Sequence, residues 1–295
     1  MFKGSLPALV TPFKNGAVDE DAVIKLAERQ IDAGSHGLIP CGTTGESATL
    51  TFEEHMRVVE LVVKTAAGRV PVMAGTGSNS TAVAIQNQAR AAEVGADAGL
   101  VVAPYYNKPN PEGLYQHFKA ISDAVDLPIY VYNVPGRTVI DIDPDTVARI
   151  AELEQVVGIK DASADMARVS AHRRLIGPDF IQLSGDDPSM VGFNATGGVG
   201  VISVTANVAP ALCAQIQTAT LEGRWEEARA LQDRLLPLHE AMFVSASPGP
   251  AKYALSLLEG MSDALRLPLT RPDEAACRRV REALVIAGLL ETAEV

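Results

Sequence analysis

The segment Gln155-Val156-Val157-Gly158-Ile159-Lys160-Asp161-Ala162-Ser163 is an apolar run closed by a lysine. Val156, Val157 and Ile159 suit a short strand buried in a parallel sheet, so Lys160 stands where that strand leaves the core. An ammonium held against a low-dielectric wall loses hydration and converts more readily to the neutral amine that attacks a ketone. A lysine at a strand end can also simply snorkel into solvent, so this segment alone leaves both readings open. Imine chemistry needs two further devices. One is a relay that protonates the carbinolamine oxygen and expels water; the other is a donor set for the carboxylate beside the ketone. Tyr132, at the end of the preceding strand, can deliver a proton beside Lys160, and Thr43 with Tyr106 can extend a hydroxyl chain toward solvent. Thr43 and Thr44 lie between Gly42 and Gly45, an arrangement that offers backbone N–H groups and two hydroxyls to a carboxylate. Arg137, in Pro135-Gly136-Arg137-Thr138, has the planar fork for a second one. The competing readings are a core tyrosine, a plain turn and a rim ion pair.

The elements that must position these residues alternate regularly. Leu6 to Val10 reads as a strand, followed by a turn at Asn15-Gly16 and a helix capped by Asp19 and reaching Ala33. Gly37 to Pro40 is the second strand, and Thr51-Phe52-Glu53-Glu54 is a capping box opening a helix to about Ala67. Strand and helix then recur at 70–74 and 80–94, 98–103 and 111–125, 128–132 and 143–153, 156–160 and 165–176, 180–184 and 187–194, and 199–203 and 208–221. Eight such units within 222 residues predict an α/β protein, a (β/α)8 TIM barrel, spanning 1–222. Helical patterns over 224–239, 249–260 and 273–290 predict an all-helical C-terminal extension over 223–295. In such a barrel the reactive groups collect at the C-terminal strand ends, and here those ends carry Thr43, Thr44, Tyr105, Tyr106, Arg137, Lys160 and Gly185-Asp186-Asp187. The opposite loops are ordinary helix stops. That asymmetry favours a reactive lysine.

With 295 residues and 47% hydrophobic content, the chain can bury a large core. A formal charge of −11 argues against nucleic acid or an anionic membrane as partner, and the short, interrupted apolar runs argue against a bilayer span. The opening Met1-Phe2-Lys3-Gly4-Ser5 shows no signal-peptide pattern, and three scattered cysteines, Cys41, Cys213 and Cys277, suit a reducing cytoplasm. Five histidines without ligand spacing predict no metal site. Cys41 lacks an evident base and reads as a core cysteine, and the glycines at 197, 198 and 200 open a strand instead of following one, which disfavours a phosphate or flavin site.

Five segments carry a resemblance: Gly-Thr-Thr-Gly-Glu-Ser at 42–47, Tyr-Tyr-Asn-Lys-Pro at 105–109, Tyr-Asn-Val-Pro-Gly-Arg-Thr at 132–138, Gly-Ile-Lys-Asp-Ala-Ser at 158–163 and Ser-Gly-Asp-Asp at 184–187. In order and content they resemble the dihydrodipicolinate synthase (4-hydroxy-tetrahydrodipicolinate synthase) family of pyruvate-dependent class I aldolases and lyases. The resemblance implies a cofactor-free lyase that condenses pyruvate with L-aspartate 4-semialdehyde in the diaminopimelate route to lysine. By the same likeness Lys160 forms the imine, Tyr132 donates protons and Thr43 with Tyr106 completes the relay. Thr44, the main chain of Ile202 and Gly185 attend pyruvate, and Arg137 holds the semialdehyde carboxylate. Tyr106 would come from the neighbouring subunit, which implies a homodimer as the smallest active unit, paired into a tetramer.

Some bacterial members also bind lysine as an inhibitor in the dimer cleft. Ser47, Ala48, His55, Asn79 and Tyr105 match that site, but Phe52 replaces a histidine and Val83 a glutamate, so weak or absent lysine inhibition is expected. Two rivals are an aldolase of the 2-keto-3-deoxy sugar acid or N-acetylneuraminate type and a catalytically idle keto-acid sensor.

Overall fold

Alternating apolar and small residues build seven short parallel strands: β1 (Gly4–Pro7), β4 (Met73–Gly75), β5 (Ala98–Val102), β6 (Ile129–Asn133), β7 (Val156–Asp161), β8 (Ile181–Ser184) and β9 (Gly200–Ser203). They pair in the order β1-β9-β8-β7-β6-β5-β4 in a computed structural model that describes residues 2–292. Met1 and residues 293–295, parts of the opening segment and of the extension read from the sequence, lie outside the described residues. The predicted second strand, 37–40, closes the ring through the parallel bridges Ala8↔Ile39 and Leu38↔Val72. Its backbone alternates between neighbours: Ile39 N–H donates to Pro7 O at 3.0 Å, and Leu38 N–H donates to Pro71 O at 2.9 Å. The result is an eight-stranded barrel with helices outside.

Strand parity sorts the side chains. Leu6, Ile39, Met73, Leu100, Tyr130, Tyr132, Leu183 and Ile202 form one apolar cluster inside the ring. Val101, Ile129, Val131 and Ile159 point the other way and pack beneath Leu114, Phe118 and Ile121 of helix α4 (Pro111–Ala124). Gly158 leaves room inside: a Cβ there would lie 2.7 Å from the Tyr130 ring. Lys160, two residues on, therefore faces the interior.

Local signals act where the sequence puts them. Asn15 and Gly16 (φ 53° and 81°) turn a small hairpin between β2 (Phe13–Lys14) and β3 (Ala17–Val18). The Asp19 carboxylate caps α1 (Glu20–Asp32) by accepting from Ala22 N–H at 3.2 Å. The Thr51/Glu54 capping box opens α2 (Phe52–Ala66), which buries the stripe Met56, Val59 and Val62. Two expectations are corrected. The first strand begins at Gly4 and leaves the ladder before Val10, whose N–H is taken by the Asn207 side chain at 3.0 Å. The helix expected from Asp187 starts at Met190, because the Asp187 carboxylate turns inward to accept from Val204 and Thr205 N–H at 3.0 and 3.1 Å.

Beyond residue 222, helices α10 (Trp225–Ala241), α11 (Gly249–Glu259) and α12 (Glu274–Ile286) follow. Leu235, Leu238, Leu255, Val280 and Leu284 join the same buried cluster as Leu9, Val10 and Val208 of the barrel. The extension also holds strand ends: Gln232 donates to the Asp187 carbonyl at 3.0 Å, and His239 meets Thr205 Oγ1 at 2.8 Å.

Burial holds all five histidines below the ordinary imidazole value, and His117, which meets Thr81 Oγ1 at 2.9 Å, is pushed down to about 4. Between pH 6.5 and 4 the unfolded chain binds protons that the folded chain refuses, so this contribution is full above pH 6.5 and is lost on acidification. His117 alone costs about 2 kcal/mol at pH 5. The melting temperature should therefore fall by about 5 °C or more between pH 7 and pH 5, with part of the fall removed in His117→Asn. An unchanged melting temperature would contradict this account.

Candidate active site

Lys160, the penultimate residue of β7, lies directly beside Tyr132 of β6 and Leu183 of β8 in the parallel register. Both Lys160 and Tyr132 are 6% exposed, and the lysine Nζ lies 4.1 Å from the centre of the Tyr132 ring. The ring face stabilises a positive charge on that nitrogen. Gly185 keeps the lysine's channel open, since a Cβ there would stand 3.0 Å from Lys160 Cε and 2.7 Å from Ala162 Cβ. Ile202, near the end of β9, is buried in the interior cluster below. Lys160, Tyr132, Gly185 and Ile202 thus meet at the C-terminal end of the barrel.

The threonine loop crosses the same rim. Glu46 N–H donates to Thr43 O and Gly45 N–H to Gly42 O, both at 3.1 Å, and Thr11 Oγ1 donates to Gly45 O at 2.7 Å. Gly75 at the end of β4 permits the close approach beneath, because a Cβ there would sit 2.1 Å from the Cys41 carbonyl oxygen. Thr44 is buried and Thr43 half-buried. Glu46 ends the loop in the left-handed region (φ 55°).

Arg137 rides on a short helical turn, α5 (Pro135–Thr138), with its side chain exposed. The turn is anchored from below. Asn133 Nδ2 donates to Asp141 at 2.9 Å, and the Asn133 side-chain oxygen Oδ1 accepts from Ile142 N–H at 3.1 Å. Arg168, itself buried, places Nη1 2.8 Å from both Asp141 oxygens and Nε 3.1 Å from Asp161 Oδ2. One guanidinium therefore joins the residue after Lys160 to the loop that carries Arg137.

A cleft of about 620 Å³ runs along the rim from Thr43 and Arg137 to Ser47, Ala48, His55 and Tyr105. Phe52 and Val83 also line it. Asn79 is half-buried and accepts through its carbonyl from Asn107 at 2.9 Å, tethering the loop of Tyr105 and Tyr106. His55 Nε2 lies 2.7 Å from Gly75 O, so that nitrogen carries the proton and donates. Tyr106 stands apart: it is 89% exposed with φ 72°, outside the cleft, and does not join Thr43 and Tyr132 within one chain.

Two other readings find no footing in the geometry. Burial pushes the Cys41 thiol far up, and its Sγ is turned to the His55 carbonyl at 3.4 Å. Gly197 and Gly198 precede β9, at the end of the barrel opposite Lys160. Among the described residues no group of three or more His, Cys, Asp or Glu is placed to hold a metal ion, and no helix is long and apolar enough to cross a membrane.

Sequence reasoning missed Lys252, Arg266 and Arg168. Lys252, fully buried on α11, forms an ion pair with Glu46 and donates to Ala264 O at 2.8 Å. Burial pulls its ammonium below the usual lysine value, and the Glu46 carboxylate opposes that pull. Arg266 N–H donates to the other Glu46 oxygen at 3.0 Å, and its guanidinium lies 2.6 Å from each Glu54 oxygen, which holds the Glu54 carboxyl down at about 2. The available signal was a lone charge inside the buried run 249–255.

The family model of the Dihydrodipicolinate synthetase family matches residues 1–287. A 4-hydroxy-tetrahydrodipicolinate synthase of Parvibaculum lavamentivorans is 60% identical over 290 residues, covering 98% of this chain and all of the relative. The crystal structure of dihydrodipicolinate synthase from Aquifex aeolicus superposes with a TM-score of 0.95 at 45% identity, covering 98% of this chain and 99% of that one. The chloride-inhibited dihydrodipicolinate synthase from Acinetobacter baumannii, complexed with pyruvate, superposes with a TM-score of 0.96 at 42% identity, covering 98% of this chain and all of that one.

Proposed function

The chain belongs to the dihydrodipicolinate synthetase family, and from that premise we infer that it is a lyase condensing pyruvate with L-aspartate 4-semialdehyde to 4-hydroxy-tetrahydrodipicolinate. The observation that carries the chemistry is Lys160 Nζ, nearly buried at the barrel mouth over the ring of Tyr132. Its lone pair attacks the pyruvate ketone, and the carbinolamine oxygen takes a proton from the Tyr132 hydroxyl and leaves as water. The iminium on Nζ draws electrons from the pyruvate methyl, which loses a proton to give an enamine. The enamine carbon bonds to the semialdehyde carbon, whose oxygen is protonated. The amine of the semialdehyde then attacks the iminium carbon, closes the ring and releases Lys160.

In this reading Thr44 and the main chain of Ile202 receive the pyruvate carboxylate, Gly185 leaves space beside the lysine, and Arg137 grips the carboxylate of the second substrate. A second copy of the chain supplies Tyr106 to Thr43, so the working unit is a dimer, paired into a tetramer. The solvent-facing position of Tyr106 supports this, since its hydroxyl has no role at its own barrel mouth. Residues 1–222 serve as the barrel and 223–295 as its extension. The buried, free state of Cys41, Cys213 and Cys277 fits a reducing cytoplasm. Incubation with pyruvate and borohydride is expected to add one reduced pyruvyl group to Lys160, read by peptide mass. An unmodified Lys160 would sink the mechanism.

Phe52 and the exposed Val83 give a lysine effector no carboxylate at these two points on the cleft wall. Micromolar lysine should leave the rate unchanged, and Val83→Glu should lower the inhibitory lysine concentration by about tenfold or more, because it adds a charge-assisted hydrogen bond. Inhibition of the wild type by micromolar lysine would refute this.

A further inference from the structure

We propose that Lys252 is a positioning residue for the condensation: through Glu46 it locks the loop that presents Thr43 and Thr44, so the C-terminal helices set the geometry of pyruvate binding. The inference rests on the reading that those threonines serve the keto acid. Lys252 lies 206 residues from its partner, and both side chains are withdrawn from solvent, at 0% and 1% exposure. The ammonium has three distinct neighbours. It pairs with Glu46, donates to the Ala264 carbonyl at 2.8 Å and lies 4.1 Å from the Phe13 ring centre. Glu46 is gripped on its second oxygen by Arg266 N–H. Arg266 in turn reaches Thr49 O at 3.0 Å and Gly16 O at 2.9 Å, and stacks 4.5 Å over the same Phe13 ring.

Glu46 is the one acid of the threonine loop, and both of its carboxylate oxygens are held by the extension. Its left-handed backbone needs an external hold, since a non-glycine residue adopts φ 55° at a cost. The threonines stand two and three residues before it. Moving the end of such a loop displaces both hydroxyls together while leaving Lys160 on β7 and Arg137 on its own turn. This division of labour separates a positioning role from simple stability. A structural pair would, when broken, lower the melting temperature and leave the two substrates affected alike.

The test uses the full-length enzyme and Lys252→Met, which keeps the stem and removes the charge. The expected result is a KM for pyruvate raised about tenfold or more and kcat lowered about tenfold or more, with the KM for the semialdehyde within about threefold of wild type. Amide exchange over residues 42–47 should quicken about tenfold. Glu46→Gln/Lys252→Met removes both charges and retains an acceptor for Arg266 N–H, so it should return pyruvate KM to within about threefold of wild type. Equal changes in the two KM values, unchanged kinetics, or no recovery in the double variant would each overturn the proposal. If Lys252→Met does not fold, Glu46→Gln decides: unaltered kcat and loop exchange there overturn it as well. A wild-type enzyme that fails to condense the substrates defeats the underlying reading instead, so the two failures are distinct.

Discussion

Lys160→Met will lower kcat/KM by about 10⁴-fold to 10⁶-fold, the loss expected when a covalent nucleophile is removed and only binding and electrostatics remain. The substitution keeps a side chain of similar length in the channel beside Gly185, where a Cβ would already come within 3.0 Å of Lys160 Cε, so packing is disturbed little. Lys160→Arg is a poorer control because its branched head would crowd that channel, although it too should be inactive. Borohydride with pyruvate should label neither variant. The chain's other buried lysine, Lys252, provides an internal comparison. It is fully enclosed, paired with Glu46 and absent from the cleft wall, so the label should not move to it. A Lys160→Met enzyme that retained about 1% of wild-type turnover would show that the reaction does not pass through this amine.

The barrel was legible because each of its units is marked locally. Apolar runs such as Ile129–Asn133 and Val156–Asp161 end in turns, and caps such as Asp19 and Thr51 make the bonds their types promise. Lys160 and Tyr132 could be placed together because parallel neighbours in a sheet align their C-terminal ends. What the local signals do not contain is partnership across distance. Nothing near Glu46 points to a lysine on the eleventh helix, and nothing near Arg168 announces that it will clamp Asp141 and Asp161 at once. Asp187 shows the same limit from the other side. It looks like a helix cap, yet two N–H groups following β9 compete for its carboxylate and win. The short helical turn under Arg137 was hidden for a related reason, since Pro135-Gly136 reads as a plain loop until Asn133 and Asp141 brace it.

Tyr132→Phe should separate proton delivery from the rest of the site. The ring stays, so the face that lies 4.1 Å from Lys160 Nζ still supports a positive nitrogen, and only the hydroxyl is lost. Loss of one positioned general acid predicts a fall in kcat of about 10²-fold to 10⁴-fold. The KM for pyruvate should change little, because the threonine loop and the Ile202 main chain are untouched. Borohydride trapping gives the sharper contrast with Lys160→Met. Water is expelled from the carbinolamine more slowly without the phenol, so the labelling rate should drop, but Lys160 should still reach full labelling on long incubation. The two variants therefore fail differently: one has no nitrogen to carry the imine, and the other forms it slowly. If Tyr132→Phe turned over within about tenfold of wild type, proton transfer would have to come from elsewhere, and Tyr132 would be reduced to a wall of the barrel.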